Sequence, residues 1–362
     1  MKRNSKYRKW LISGAVFISC FVLSFSLLSL NALKTDLAKA ASVESTTNSI
    51  HYGDGSVYEG ESIEGSIRNG TGKYTWATGE TYDGIWVSGN MTGTGEMTWP
   101  GLGTYKGDFV NNKRQGKGVF IWTYEGEPDP GDPVSYDGEW DNDKIGSNGT
   151  LVIAGFGIYS GAFSKQKRAG FGKFTWNNGD VYEGNWTADN ITGDGILTIS
   201  DGTLLEGKFQ NGKLTSGTMT YQVEDGTAVR KVMGGKAQTD VKVKYSDGTI
   251  LEGKTKGKTF TGNVTITYSG GDKYVGTIKA GLKDGKGTYT WRNGAHYVGE
   301  WSGDYMHGSG KYYYNKSEKD MYLTGNFANG KPSGTLIYVA ENKLKYQTVW
   351  KNGQCTSITY KR

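Results

Sequence analysis

Several stretches of this 362-residue chain hold residues that could do chemistry, and spacing rejects them one by one. Gly253-Lys254-Thr255-Lys256-Gly257-Lys258-Thr259 looks like a phosphate-binding loop. Such a loop needs a glycine five residues before Gly257, and Glu252 stands there. Gly116-Lys117-Gly118 and Gly285-Lys286-Gly287 imitate dinucleotide fingerprints, but they recur at a fixed period and fall in expected strands, not before helices. Asp141-Asn142-Asp143 opens like a calcium loop, yet Ile145 has no ligand oxygen and Val152 takes the place of the closing glutamate. Asp129 and Asp132 read as a solvated acidic loop. His51, His296 and His307 are the only histidines, and none has a Cys, Ser or carboxylate spaced for zinc or a catalytic triad. The two cysteines, Cys20 and Cys355, provide neither a disulfide framework nor a metal site. The residues therefore predict no catalytic site, no metal and no cofactor. The chain reads as a non-enzyme.

Charge narrows the partners. Residues 1–40 hold Lys2, Arg3, Lys6, Arg8, Lys9, Lys34 and Lys39 against Asp36, which leaves 35 basic and 35 acidic residues elsewhere, so no nucleic-acid partner is expected. Locally Arg230, Lys231, Lys236, Lys242, Lys244, Lys254, Lys256 and Lys258 outnumber Asp240, Asp247 and Glu252. This reads as a solvated face, with anionic lipid or wall polymer as the alternative ligand.

The elements that position these residues begin with a basic tail (1–9) and an uncharged segment from Trp10 to Leu33, long enough to cross a bilayer. The positive flank predicts a cytoplasmic N-terminus and an exported remainder. The expectation is a transmembrane signal-anchor at 10–33, a plasma-membrane location and a flexible linker over 34–56. Ala38-Lys39-Ala40 offers cleavage and secretion as the alternative.

Beyond the linker the chain repeats. Aromatic-x-Gly-x-aromatic starts recur at Tyr58, Tyr82, Tyr105, Tyr136, Tyr159, Tyr182, Leu205, Leu251, Tyr274, Tyr297, Leu323 and Tyr346, mostly 23 residues apart. A worn copy fits residues 228–250, and the Pro-rich stretch near 123–135 reads as an inserted surface loop. The best copies are Tyr82, Gly84, Trp86, Gly93, Gly95, Trp99; Tyr159, Gly161, Phe163, Gly170, Gly172, Trp176; and Tyr274, Gly276, Gly285, Gly287, Trp291. Alternation across a strand puts Tyr82, Gly84 and Trp86 on one face, as it does Gly93, Gly95 and Trp99. Asn178-Gly179, Asp247-Gly248 and Asn293-Gly294 suit tight β-turns. Each unit is thus predicted to be a hairpin with an aromatic and a polar face. Both glycines of each Gly-x-Gly pair are expected to leave room for rings.

This pattern closely resembles the membrane occupation and recognition nexus (MORN) repeat over residues 57–353, with 354–362 as a tail. The resemblance implies an all-β, elongated, single-layer antiparallel sheet of about 12 hairpins. It also implies protein–protein contact, self-association and, in some members, membrane attachment. Lysine in excess of arginine with scarce cysteine fits a bacterial surface protein. The leading functional expectation is a membrane-anchored scaffold with an unidentified protein partner along the sheet. The alternative is a carbohydrate or cell-wall-polymer binder. Burial of Trp86, Trp99, Trp122 and Trp176 would mark them as core, whereas an exposed planar row would favour sugar.

Overall fold

The computed structural model describes residues 45–257, 259–314 and 321–361. The expected basic tail, membrane anchor and cleavage site lie outside the described residues. Among those described there are 28 β-strands and no helix, and no helix is long and apolar enough to cross a membrane. The chain divides into two compact units, residues 1–168 and 169–362.

In the first unit, strands run from Ser45–His51 to Gly157–Ser164, each pairing antiparallel with the next in sequence. Register places glycine opposite glycine on every strand after the first: Gly60, Gly72, Gly84, Gly95, Gly107, Gly118, Gly138, Gly149 and Gly161 form one row. On the opposite face the cross-strand order Glu59, Lys73, Asp83, Glu96, Lys106 sets each acid beside a lysine, although Asp83 also faces Glu96. Lys106 Nζ lies 3.4 Å from Glu96. Such exposed pairs contribute little stability and chiefly keep this face wet.

The second unit repeats the pattern at both ends. Its glycine row runs Gly172, Gly184, Gly195, Gly207, Gly217 and resumes at Gly276, Gly287, Gly299, Gly310 and Gly325. Between them the buried face is aliphatic, with Ala228, Val232, Val241, Val243, Leu251 and Val264. The worn copy is therefore a pair of ordinary strands, Gly226–Met233 and Lys236–Tyr245, whose β-branched side chains fill the space that rings fill elsewhere.

Two expected boundaries shift. Ser45–His51, assigned to the flexible linker, is a strand paired with Val57–Ile63. Gln354–Lys361, assigned to a tail, is a strand paired with Lys345–Lys351. The insertion is a loop between Trp122 and Pro133. It is tied down where Tyr124 Oη donates to the Pro133 carbonyl at 2.6 Å and the Gly131 amide donates to Ala154 at 2.8 Å.

Candidate interaction surface

Each motif tyrosine is the centre of its hairpin. Tyr58, Tyr82, Tyr105, Tyr136, Tyr159, Tyr182, Tyr274 and Tyr297 are all 0% exposed. Each donates its hydroxyl to the backbone carbonyl three residues on, as Tyr82 does to Ile85 at 3.1 Å, Tyr159 to Ala162 at 2.8 Å and Tyr274 to Thr277 at 2.7 Å. The reason is a bulge. In the Tyr82 unit Gly84 faces Gly95 and Trp86 faces Met91, so Thr92, Gly93 and Thr94 stand opposite the single residue Ile85. A residue facing a bulge loses its regular ladder partner, and the tyrosine hydroxyl takes the carbonyl instead. On the wet side, the side chain at the same position often holds the bulge. Glu61 accepts from the Thr71 amide at 3.2 Å, and Asp108 from that of Lys117 at 3.2 Å.

The two glycines of each pair therefore do different work, which corrects the expectation that both make room for rings. Gly93 sits in the bulge at φ +74°, a conformation that L side chains avoid. Gly285 does the same at +88°. The second glycine lies under the tyrosine: a Cβ on Gly287 would stand 2.6 Å from Cε2 of Tyr274. Gly84 and Gly276 likewise crowd their own tyrosine. Gly161 belongs to the glycine row of the first unit and Gly172 to that of the second, and Gly170 has φ +62°.

Rings interlock along the buried face. In the first unit Tyr58, Trp86, Tyr82, Phe109, Tyr105, Trp140, Tyr136, Phe163 and Tyr159 form an unbroken edge-to-face ladder, with centroids 5.0–5.7 Å apart and planes at 78–89°. That geometry sets the positive ring edge against the negative ring face, adding roughly 0.5–1.5 kcal/mol per pair beyond burial. The indole of Trp86 also donates to the Gly72 carbonyl at 2.9 Å, and Trp301 to that of Gly287 at 3.2 Å. Burial pushes the hydroxyls of Tyr58, Tyr274 and Tyr297 up to about 12, and the nearby acids Glu61, Asp304 and Glu300 act in the same direction. Tyr82→Phe keeps the ring but orphans the Ile85 carbonyl. It is expected to destabilise the first unit by roughly 1–3 kcal/mol in urea unfolding. An unchanged midpoint would show that water replaces the hydroxyl.

A second aromatic row borders this core. Trp76, Trp99 and Trp122 in the first unit, and Trp176 and Trp291 in the second, are half-buried, not core. They lean on inner rings: Trp99 on Phe120 at 5.8 Å, Trp176 on Phe174 at 4.7 Å, Trp291 on Tyr289 at 4.9 Å. Of the four tryptophans set as the test of core against platform, Trp86 is core, Trp99 and Trp122 belong to the rim of the first unit, and Trp176 is half-buried in the second. Cations at a shared register, two residues before a left-handed glycine, lie against core indoles. The Arg68 guanidinium is 4.5 Å from the Trp86 ring, Arg114 is 4.4 Å from Trp140, and Lys283 is 5.6 Å from Trp301. Arg114 pairs with Asp143 at 3.3 Å and Lys283 with Asp304 at 2.9 Å. Sequence reading missed these cations and the tyrosine hydroxyl bonds. Their fixed offset within the repeat was the available signal.

The other marked residues do not converge. Gly253–Lys256 belongs to the strand Ile250–Lys256, and a second strand begins at Thr259. Asp143 serves Arg114, and His296 stacks on Tyr313 at 4.2 Å. Of the basic group, Lys231, Lys242, Lys244, Lys254 and Lys256 are exposed, with Lys242 paired to Glu252 at 3.0 Å. Arg230 instead donates to Tyr221 Oη at 2.8 Å, and Lys258 lies outside the described residues. On the polar face an open depression of about 450 Å³ is lined by Lys73, Asp83, Glu96 and Lys106, which neutralise one another.

Comparison with known families finds the MORN repeat at residues 58–81, 82–104, 105–123, 136–154, 159–181, 182–204, 274–296 and 297–318. No curated protein matches the chain.

Proposed function

This chain carries eight MORN repeats, the repeats of protein- or membrane-interaction modules, and from that premise we propose that it is a non-catalytic scaffold at the cell surface. Residues 10–33 hold it in the plasma membrane, and a protein partner lies along the rim of the repeat sheet. The observation that carries this reading is the half-buried row Trp76, Trp99 and Trp122, set at one register in successive repeats. The buried ladder cannot serve a partner without unfolding, whereas rim indoles offer large apolar area already ordered by the rings beneath. Aromatic groups of that kind are what interfaces use as anchors.

Fractionation and external protease test the placement: repeats retained in membranes and clipped from outside support it, and repeats released whole into the medium favour cleavage near Ala40. Cross-linking followed by capture then tests the rim. The double substitution Trp99→Ala and Trp122→Ala is expected to weaken capture at least tenfold while the repeats stay folded by circular dichroism. Undiminished capture would sink the rim as the contact surface. The exposed portions of the same indoles favour a second reading, stacking on sugar rings of a wall polymer. That reading requires the wild-type chain, and not the double variant, to be retarded in gels containing the polymer.

A further inference from the structure

Arg68, Arg114 and Lys283 stand at one register, and the backbone carbonyl of each accepts from the amide of an equivalent turn residue: Gly89 at 2.8 Å, Asp143 at 3.1 Å and Asp304 at 3.0 Å. At the second and third sites the aspartate folds back onto the cation. Asp143 Oδ1 accepts from the Arg114 amide at 3.0 Å and from its Nε at 3.3 Å, and Asp304 Oδ1 accepts from the Lys283 amide at 2.8 Å and from its Nζ at 2.9 Å. Gly89 has no side chain with which to do either. Arg68 is nonetheless held in the pose of Arg114: its Nη2 donates to the Gly89 carbonyl at 3.1 Å, as that of Arg114 donates to the Asp143 carbonyl at 2.9 Å. Nε, the atom that Asp143 satisfies on Arg114, is buried on Arg68 with no hydrogen-bond partner. Among the described residues no carboxylate pairs with this guanidinium. The place of the missing carboxylate is open, since a Cβ on Gly89 would have no atom within 4 Å. A partly buried cation without its counter-charge is costly, and a carboxylate brought to it relieves that cost.

We propose that Arg68 binds a carboxylate of the protein partner, which enters beside Gly89 and takes the position that Asp143 and Asp304 hold at the equivalent sites. This assignment rests on the rim being the contact surface, and it names the partner's chemistry there: an acidic side chain next to an apolar one. The apolar neighbour meets Trp76, which lies 4.6 Å from Tyr74 beside the guanidinium. A carboxylate is the anion indicated because carboxylates fill both equivalent sites in this chain, and Asp143 shows that one reaches Nε while Nη2 stays on the turn carbonyl. The guanidinium is already fixed, 4.5 Å from the Trp86 ring and 4.6 Å from that of Tyr74, with Tyr52 at 5.9 Å. Binding therefore orders no long side chain of this protein, and the charge-assisted bond offsets the hydration that the incoming carboxylate loses.

The test uses the full chain in detergent. Gly89→Asp supplies the carboxylate from within, and the backbone suits it: φ is +83° at Gly89, +70° at Asp143 and +73° at Asp304. This variant is expected to unfold at higher urea than its uncharged match Gly89→Asn, and the difference should vanish when both are repeated with Arg68→Gln. In fluorescence anisotropy, a rhodamine-labelled, capped peptide of alternating glutamate and leucine should bind wild type, and bind Gly89→Asp at least tenfold more weakly. Removing exposed lysines elsewhere, Lys242→Ala with Lys244→Ala, should leave that affinity unchanged. Equal midpoints for the Asp and Asn variants overturn the proposal. So does a peptide that does not bind wild type, or binds Gly89→Asp equally well, and so does binding of inorganic phosphate without binding of the peptide. Asp36→Asn with Glu44→Gln should not alter the affinity; a tenfold rise would mean that the chain's own acids fill the site, and would overturn its assignment to a partner. The rim fails separately, because Trp99→Ala with Trp122→Ala touches neither Arg68 nor the three rings around it.

Discussion

Gly95→Ala is expected to destabilise the first unit by roughly 3–5 kcal/mol, the overpacking strain and the lost hydrogen bond acting together. The added Cβ would lie 2.5 Å from Cε2 and 2.6 Å from Cζ of Tyr82, and closer still to its hydroxyl. The ring has nowhere to go: Trp86 stands 5.1 Å away and Phe109 5.0 Å away, both edge-on, and the side chain is wholly buried. Moving it also releases the Ile85 carbonyl. Gly89→Ala is the control, at φ +83° with no atom within 4 Å of the new Cβ, and its expected cost is about 1 kcal/mol of backbone strain. Urea unfolding followed by tryptophan fluorescence distinguishes them. Equal losses at the two sites would mean that the glycine row is a matter of backbone conformation and not of space for the ring.

Alkali is expected to unfold the repeats cooperatively between about pH 10 and pH 12. An unfolded tyrosine ionises near 10. Burial holds Tyr58, Tyr274 and Tyr297 protonated to about 12, and pushes Tyr82, Tyr105 and Tyr136 upward as well. Because the folded pKa is raised, the stabilisation is fully present below pH 10 and is lost as pH rises through the folded values. Each such tyrosine removes roughly 1.4 kcal/mol per pH unit across that window. Several acting together exceed the 5–15 kcal/mol that holds an ordinary domain. Tyrosinate absorbance and far-ultraviolet circular dichroism should therefore change at the same pH. Complete ionisation near pH 10 with the β signal intact would contradict the buried, hydrogen-bonded hydroxyls.

Both effects trace to features that a linear pattern reveals only in part. The period, the turn dipeptides and the alternation of Tyr82, Gly84 and Trp86 were legible because they are local: a side chain points to one face or the other according to its place in the strand. Pairing register was not, because it depends on which residues face each other across two strands. The bulge opposite Ile85, which separates the work of Gly93 from that of Gly95, belongs to the pair of strands and to neither alone.

The sequence by itself determined a repeating all-β chain with an aromatic, glycine-lined face, because period and side-chain alternation are properties of a single strand. The tertiary structure decided which rings are core and which form a rim, since Trp86 and Trp99 are the same residue type and differ only in what lies over them. It also drew Ser45–His51 and Gln354–Lys361 into sheet structure without the motif. Backbone amides and carbonyls pair with any adjacent strand in register, and that bond carries no signature in the side chains.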